Sequence, residues 1–217
     1  MRYHDGMAAM LSILFFIFSS SGLERTRTLP IPGNSKQAAY DKLDPKMIDA
    51  GRALFFDPIL SRDRSISCAS CHIPDRAFSN GQEKAKGVDG AESEYNVPVL
   101  FNRIGSTIQF WDGRVHSMQA QIFHPMLNKK EMGMTTKKIL ERLNSSQNYK
   151  KLFGKQITRK LVEDALANFI FSLVSGNSRY DRFMAGDTSA LNAQEQRGRK
   201  LFMDTYKCNR CHAGPEF

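Results

Sequence analysis

Two copies of one five-residue spacing constrain this chain more than anything else in it: Cys68-Ala69-Ser70-Cys71-His72 and Cys208-Asn209-Arg210-Cys211-His212. Both read C-x-x-C-H, the attachment pattern of a c-type haem. The two thiols add across the two vinyl groups of one porphyrin, and the imidazole that follows becomes the fifth ligand of its iron. The chain has four cysteines, and the two motifs use all of them. A four-thiolate zinc site and disulfides or redox dithiols also use C-x-x-C pairs. Neither requires a histidine directly after both pairs, so two covalently bound haems are the expectation. His72 and His212 are then iron ligands, and the fold must close around two flat, largely apolar groups.

At 217 residues the chain has room for one large domain or two small ones. Hydrophobic residues are 41% of it, without an excess of Pro or Gly, which marks a globular protein rather than a disordered one. Residues 1–22 read as a secretory signal. Arg2 supplies the positive start, residues 11–18 the apolar core, and Ser19-Ser20-Ser21-Gly22 small residues for cleavage. The apolar run is short for a membrane span, so no stable span is expected. His4 and Asp5 leave an uncleaved anchor as the alternative. Export points to the periplasm, where bacterial haem attachment takes place. The formal net charge of +9 fits either a solvated basic surface or a docking face for an acidic electron donor. No nucleic-acid motif accompanies it.

The spacing of apolar residues predicts a mainly α protein. Residues 23–46, with Pro30, Pro32 and Gly33, read as a leader segment. Asp44-Pro45 opens a helix that Asp57-Pro58 stops. A loop then delivers the first motif, and a second loop without periodicity follows from residue 73 to 96. Leu100, Phe101, Ile104, Ile108 and Phe110 are expected in the core. Thr135 or Thr136 caps a short helix through Leu143, residues 147–153 form another, and a long helix runs from Thr158 to about Ser175. Residues 196–204 predict a last helix. It contains Gly198-Arg199-Lys200-Leu201-Phe202, matching Gly51-Arg52-Ala53-Leu54-Phe55 in the first. G-R-x-L-F ahead of C-x-x-C-H, twice, is an internal repeat. It divides the chain into a first haem module at 47–180, which includes the long connecting helix, and a second at 181–217.

The ordered set formed by residues 54–61, the first haem motif, Asn96-Val97-Pro98, Phe110-Trp111-Asp112-Gly113-Arg114, Gln121, Pro125 and Glu131-Met132-Gly133 resembles the bacterial dihaem cytochrome c peroxidases. The resemblance implies two cytochrome c-like haem domains. It also implies reduction of hydrogen peroxide with electrons from a small cytochrome c or cupredoxin, and it admits a homodimer. By the same resemblance the haem of Cys68, Cys71 and His72 meets peroxide, and that of Cys208, Cys211 and His212 receives electrons. Glu131 and Gln121 match the distal pair over the peroxide haem. Acid–base chemistry there suits a carboxyl group in a partly apolar pocket. Trp111, the only tryptophan, matches an electron stepping stone, and a core aromatic is compatible with that role. Asn96 matches a calcium ligand between the domains. Arg114 is expected on a haem propionate or a local carboxylate.

Two departures stand out. Many members of the family cap the peroxide haem with a histidine in the loop after the first motif. Residues 73–95 contain none, and Val88 occupies the matching position. The resemblance therefore leans to the branch that includes the maturation enzymes of tryptophan-derived quinone cofactors, with a first haem open to peroxide. His116 and His124 are the substitute caps to weigh. The family's second domain also continues well beyond the equivalent of Phe217, so the reading is of a second domain that is incomplete, in a C-terminally truncated chain. Rival readings are a dihaem electron carrier, an oxidase of a partner protein's side chains, and a non-functional remnant.

Overall fold

A computed structural model of the protein describes residues 39–212. The signal reading of residues 1–22 and most of the leader segment lie outside them. After a helical pair at 39–40, the described chain forms eight α-helices joined by loops and short 3₁₀ turns. It has no strand, only the isolated antiparallel bridges Ile73–Ser79, Lys86–Glu92 and Gln109–Val115. No helix in it is long and apolar enough to cross a membrane.

Helix α1 (Pro45–Phe56) begins where expected: the Asp44 carboxylate accepts from the Lys46 N–H, and Pro45 takes the first turn. It buries Ala50, Gly51, Leu54 and Phe55. Its main neighbour is the long helix α6 (Arg159–Ser172), capped by Thr158. Gly51 makes that crossing possible. A Cβ there would stand 2.0 Å from the Ala165 carbonyl oxygen, so the two backbones meet at a point where only glycine fits. Phe55 is the hub of the packed interior, with ring centroids 5.0 Å from Phe169, 6.0 Å from Phe78 and 6.3 Å from His72.

The first haem motif occupies α2 (Cys68–Cys71), a single helical turn. Helix α3 (Met118–Leu127) was not predicted. Ser117 caps it, and it buries Met118, Ile122, Phe123 and Met126, but Pro125 sits inside it and conceals the period. Helix α4 (Thr136–Ser145) is capped by Thr135, and α5 (Gln147–Phe153) ends at Gly154 in the left-handed region. Short α7 (Arg179–Met184) was also missed. Helix α8 (Ala193–Lys200) starts three residues earlier than predicted, because Asn192 and Glu195 form a reciprocal cap, and it runs on into a π-helical turn over Leu201–Thr205.

The largest apolar cluster draws its buried members from Ala50 through Ile170. Beyond it Ala190 and Leu191 are also buried. Leu100 and Ile104 are core as expected, but Ile108 is 58% exposed. The Gln109–Val115 bridge turns Gln109 inward, to 3% exposure, and its extended neighbour outward. The buried Gln109 amide is satisfied by the Ser106 carbonyl at 2.8 Å and by the Arg103 guanidinium at 2.8 Å. Phe110 is only half-buried.

Candidate functional site

The first motif is held from both ends. Ser67 and Ser70 form a reciprocal cap at its start. Ahead of it, the Arg142 guanidinium of α4 donates to the carbonyls of Ile59, Ser61 and Arg62, at 3.0, 2.6 and 2.7 Å, which fixes the delivering loop. After it, Ala77 and Phe78 both adopt positive φ, at 55° and 56°. That conformation is strained for residues with side chains. It aims the Phe78 carbonyl at His72 Nδ1, 2.8 Å away. A carbonyl only accepts, so Nδ1 carries the proton and Nε2 keeps a free lone pair, the form that ligates iron. Burial pushes the His72 pKa below its ordinary range, against the pull of the Phe78 and Pro98 carbonyls. The imidazole is therefore neutral at neutral pH.

The thiols are equally distinctive. Burial, and then the neighbouring Cys71, pushes the Cys68 thiol up to about 12. Cys71 is raised by burial and then by the charge of Glu131. Neither is the low-pKa thiolate of a redox dithiol. All four cysteines are free, and among the described residues no group of three or more His, Cys, Asp or Glu side chains gathers as metal ligands. The two C-x-x-C pairs therefore do not combine into a four-thiolate site. Half-buried thiols beside the apolar cluster, a neutral histidine with Nε2 free, and Phe55 and Phe78 alongside form a donor set that fits haem.

Glu131 belongs to this neighbourhood, since its charge is felt at Cys71. It sits on a tight turn after α3. Asn128 organises that turn: its carbonyl accepts from the Glu131 and Gly133 N–H groups, and its Nδ2 donates to Glu131 Oε1 at 2.7 Å. The strand-like return bonds back to the helix end, Met132 N to Pro125 O at 3.2 Å and Met134 N to Met126 O at 2.8 Å. Glu131 is half-buried, and burial raises its pKa, opposed by Asn128 and by the nearby Arg114 charge.

The loop after the first motif is fastened to this turn. The Val88 N–H donates to the Glu131 carbonyl at 2.8 Å, and the Val88 side chain is 1% exposed. A Cβ on Gly87 would lie 2.1 Å from the Lys130 carbonyl oxygen, so the contact is backbone on backbone. Ion pairs Lys130–Glu94, at 3.2 Å, and Arg62–Asp89 flank it. Val88, the position weighed for a capping histidine, is thus a buried apolar residue.

The remaining predicted residues spread outward. Gln121 is half-buried on α3, four residues before Pro125, whose missing N–H leaves the Gln121 carbonyl without its helical donor. Trp111 is 66% exposed, so the core-aromatic alternative is wrong; its Nε1 donates to the Asn96 carbonyl at 3.1 Å. Asn96 is exposed, and its Nδ2 donates to the Gln82 carbonyl at 2.7 Å. Arg114 pairs with Asp112 at 2.6 Å and lies 3.7 Å above the Phe110 ring. His116 and His124 are both exposed, the latter with its ring edge on Phe110 at 5.3 Å. Three functional positions escaped sequence reasoning: the Phe78 carbonyl, Asn128 and Gly87. A carbonyl leaves no residue signature. Asn128 carried a signal, an Asx-type turn residue directly after an apolar run.

The second motif repeats the first in outline. The Phe202 ring lies 6.3 Å from His212, matching Phe55 and His72 at 6.3 Å. Between α7, α8 and His212 lies a cavity of about 470 Å³ walled by Tyr180, Leu191, Phe202 and Met203, with Glu195 and Arg199 contributing its charged groups. An apolar cavity beside a histidine and two exposed free thiols also fits haem.

A sequence profile described as di-haem cytochrome c peroxidase matches residues 45–189. The chain is 38% identical over 177 residues to the methylamine utilization protein MauG of Methylorubrum extorquens, covering 79% of this chain and 50% of that protein. It is 35% identical over 176 residues to the cytochrome c peroxidase Ccp of Escherichia coli, covering 79% of this chain and 38% of that one. The chain thus spans half or less of these relatives' own length. Among solved structures, a MauG-like protein associated with microbial copper homeostasis superposes with a TM-score of 0.73 at 26% identity, covering 79% of this chain and 53% of the other.

Proposed function

The chain belongs to the di-haem cytochrome c peroxidase family, and from that premise we propose that it reduces hydrogen peroxide at the first motif with electrons received at the second. Haem is the cofactor of this family. We read it here as two haems c, one bound through Cys68, Cys71 and His72, the other through Cys208, Cys211 and His212. Bound haem supplies the redox chemistry that breaks the O–O bond.

The protein's own part is positioning and proton transfer. The observation that carries the reading is Glu131, a half-buried acid whose charge reaches Cys71 and whose carbonyl is fastened by Val88. The Glu131 carboxylate takes a proton from one peroxide oxygen and returns it to the departing one. Asn128 Nδ2 occupies Oε1, which leaves Oε2 for the proton. The Gln121 amide orients the peroxide. A neutral His72, its Nδ1–H held by the Phe78 carbonyl, would offer Nε2 to the haem iron. With Val88 in place of a capping histidine, no imidazole from residues 73–95 would have to leave before peroxide binds, and no reductive activation would be needed. Trp111 passes electrons between the two modules, 47–180 and 181–217, and Asn96 offers a carbonyl oxygen to calcium. Arg114, balanced between Asp112 and Glu131, completes the polar side of the site. The donor is a small acidic redox protein of the periplasm.

The test is peroxide-dependent oxidation of a reduced small cytochrome by the haem-loaded protein. Glu131→Gln should lower turnover by about 10²–10⁴-fold while both haem spectra persist. Unchanged turnover in that variant would remove Glu131 from the mechanism. A second reading, oxidation of a partner protein's side chains, is favoured by the exposure of Trp111. Its signature is slow turnover with simple donors and Trp111-dependent oxidation of a bound protein.

A further inference from the structure

Two charged side chains contribute to the cavity beside His212, and they differ in one respect. Glu195 is fully engaged: Arg179 Nη1 and Nη2 donate to its two oxygens at 2.5 and 2.6 Å. Among the described residues Arg199 has no such partner. Its Nε is buried without a hydrogen-bond acceptor, and its guanidinium lies 5.6 Å above the Phe183 ring. The internal repeat shows that this is not a property of the position. Arg52, the counterpart in G-R-x-L-F, is exposed and pairs with Asp49, three residues earlier, at 3.2 Å. Three residues before Arg199 stands Gln196, which cannot pair with a cation in that way and instead donates to the Leu191 carbonyl at 2.9 Å.

A buried guanidinium N–H with no acceptor is costly unless something else supplies one. Around it are apolar walls and an acid already neutralised by Arg179. The missing partner is therefore an anion on an otherwise apolar body that fills the cavity. A guanidinium matches a planar carboxylate better than any other common anion except phosphate. We propose that Arg199 is the carboxylate anchor of this cavity, and that it takes a propionate of the haem carried by Cys208 and Cys211. This rests on reading the second motif as a haem site. The consequence is a tuned potential. A fixed cation on the propionate offsets negative charge near the iron and favours the reduced state.

The experiment is a redox titration of the full-length, haem-loaded protein, with the two haems resolved spectroscopically. Arg199→Gln should lower the midpoint potential of the second haem and leave that of the first unchanged. Arg199→Lys, which keeps the charge, should retain most of the wild-type value. An Arg199→Gln protein that matures with one haem while Arg199→Lys matures with two would support the anchor equally. Two haems with an unaltered second potential in Arg199→Gln would overturn it, and so would loss of the second haem from both variants. A haem count of one per chain in the wild-type protein would instead overturn the two-haem reading beneath it.

Discussion

The carboxylate of Glu131 is caught between opposing influences, and its titration follows from their balance. Burial raises its pKa above the ordinary 4.5, while the Asn128 amide and the Arg114 charge stabilise the ionised form. If Glu131 is the proton acceptor proposed above, its active form is the carboxylate, and peroxide turnover should be lost as pH falls through the raised pKa. The acid limb of kcat/KM should inflect above 4.5 and be absent from the residual activity of Glu131→Gln. Asn128→Ala removes a bond that favours the ionised form, so the limb should move to higher pH. A limb that stays in place in the Asn128 variant would mean that the amide holds the turn and not the charge.

Two helices of the same repeat meet their surroundings differently, and glycine shows it. Gly51 touches the Ala165 carbonyl, whereas a Cβ on Gly198 would meet nothing within 4 Å. Gly51→Ala should force α1 and α6 apart and cost at least ~2 kcal/mol in urea unfolding of the holoprotein. The open space at Gly198 faces the cavity beside His212, so it is room for what fills that cavity. Helix α4 acts at longer range. Its Arg142 closes the loop ahead of the first motif through three carbonyls, and hydrogen bonds from a charged donor to partly buried acceptors are worth more than neutral ones. Arg142→Gln should cost about 2 kcal/mol. An unfolding midpoint within error of wild type would show that the Ser61 hydroxyl, bonded to the Ile66 N–H, and the Ser67–Ser70 cap hold it unaided.

At the scale of the whole molecule the charge is +9, distributed rather than gathered, with exposed lysines at 129–130, 137–138 and 150–151. A field of that sign steers an acidic donor, and salt screens it. Raising ionic strength from about 0.01 M to 0.15 M shortens the screening length from ~30 to ~8 Å. The second-order rate of donor oxidation should fall over that range, while the peroxide reaction, with its neutral substrate, stays flat. Salt-independent donor oxidation would mean that the basic surface is only solvated. The exposed Trp111, bonded to Asn96, stands at the same scale, because its use depends on what approaches that face.

The chemistry of the chain was legible in its order of residues. C-x-x-C-H points to haem because the two vinyl groups of a porphyrin set that spacing, and the di-haem family match agrees with it; G-R-x-L-F stands ahead of both motifs. Helices α1, α4, α5 and α6 announced themselves through caps and apolar period, since both are local. Pro125 hid α3, and the Asn192–Glu195 cap was overlooked. What only the tertiary structure decided lies between segments distant in sequence. It brought Glu131 to Cys71, closed Val88 and Gly87 against the Glu131 turn, aimed the Phe78 carbonyl at His72, turned Ile108 and Trp111 outward, and left Arg199 without an acid among the described residues. Each depends on backbone direction and on contacts between remote residues, and local spacing carries no record of either.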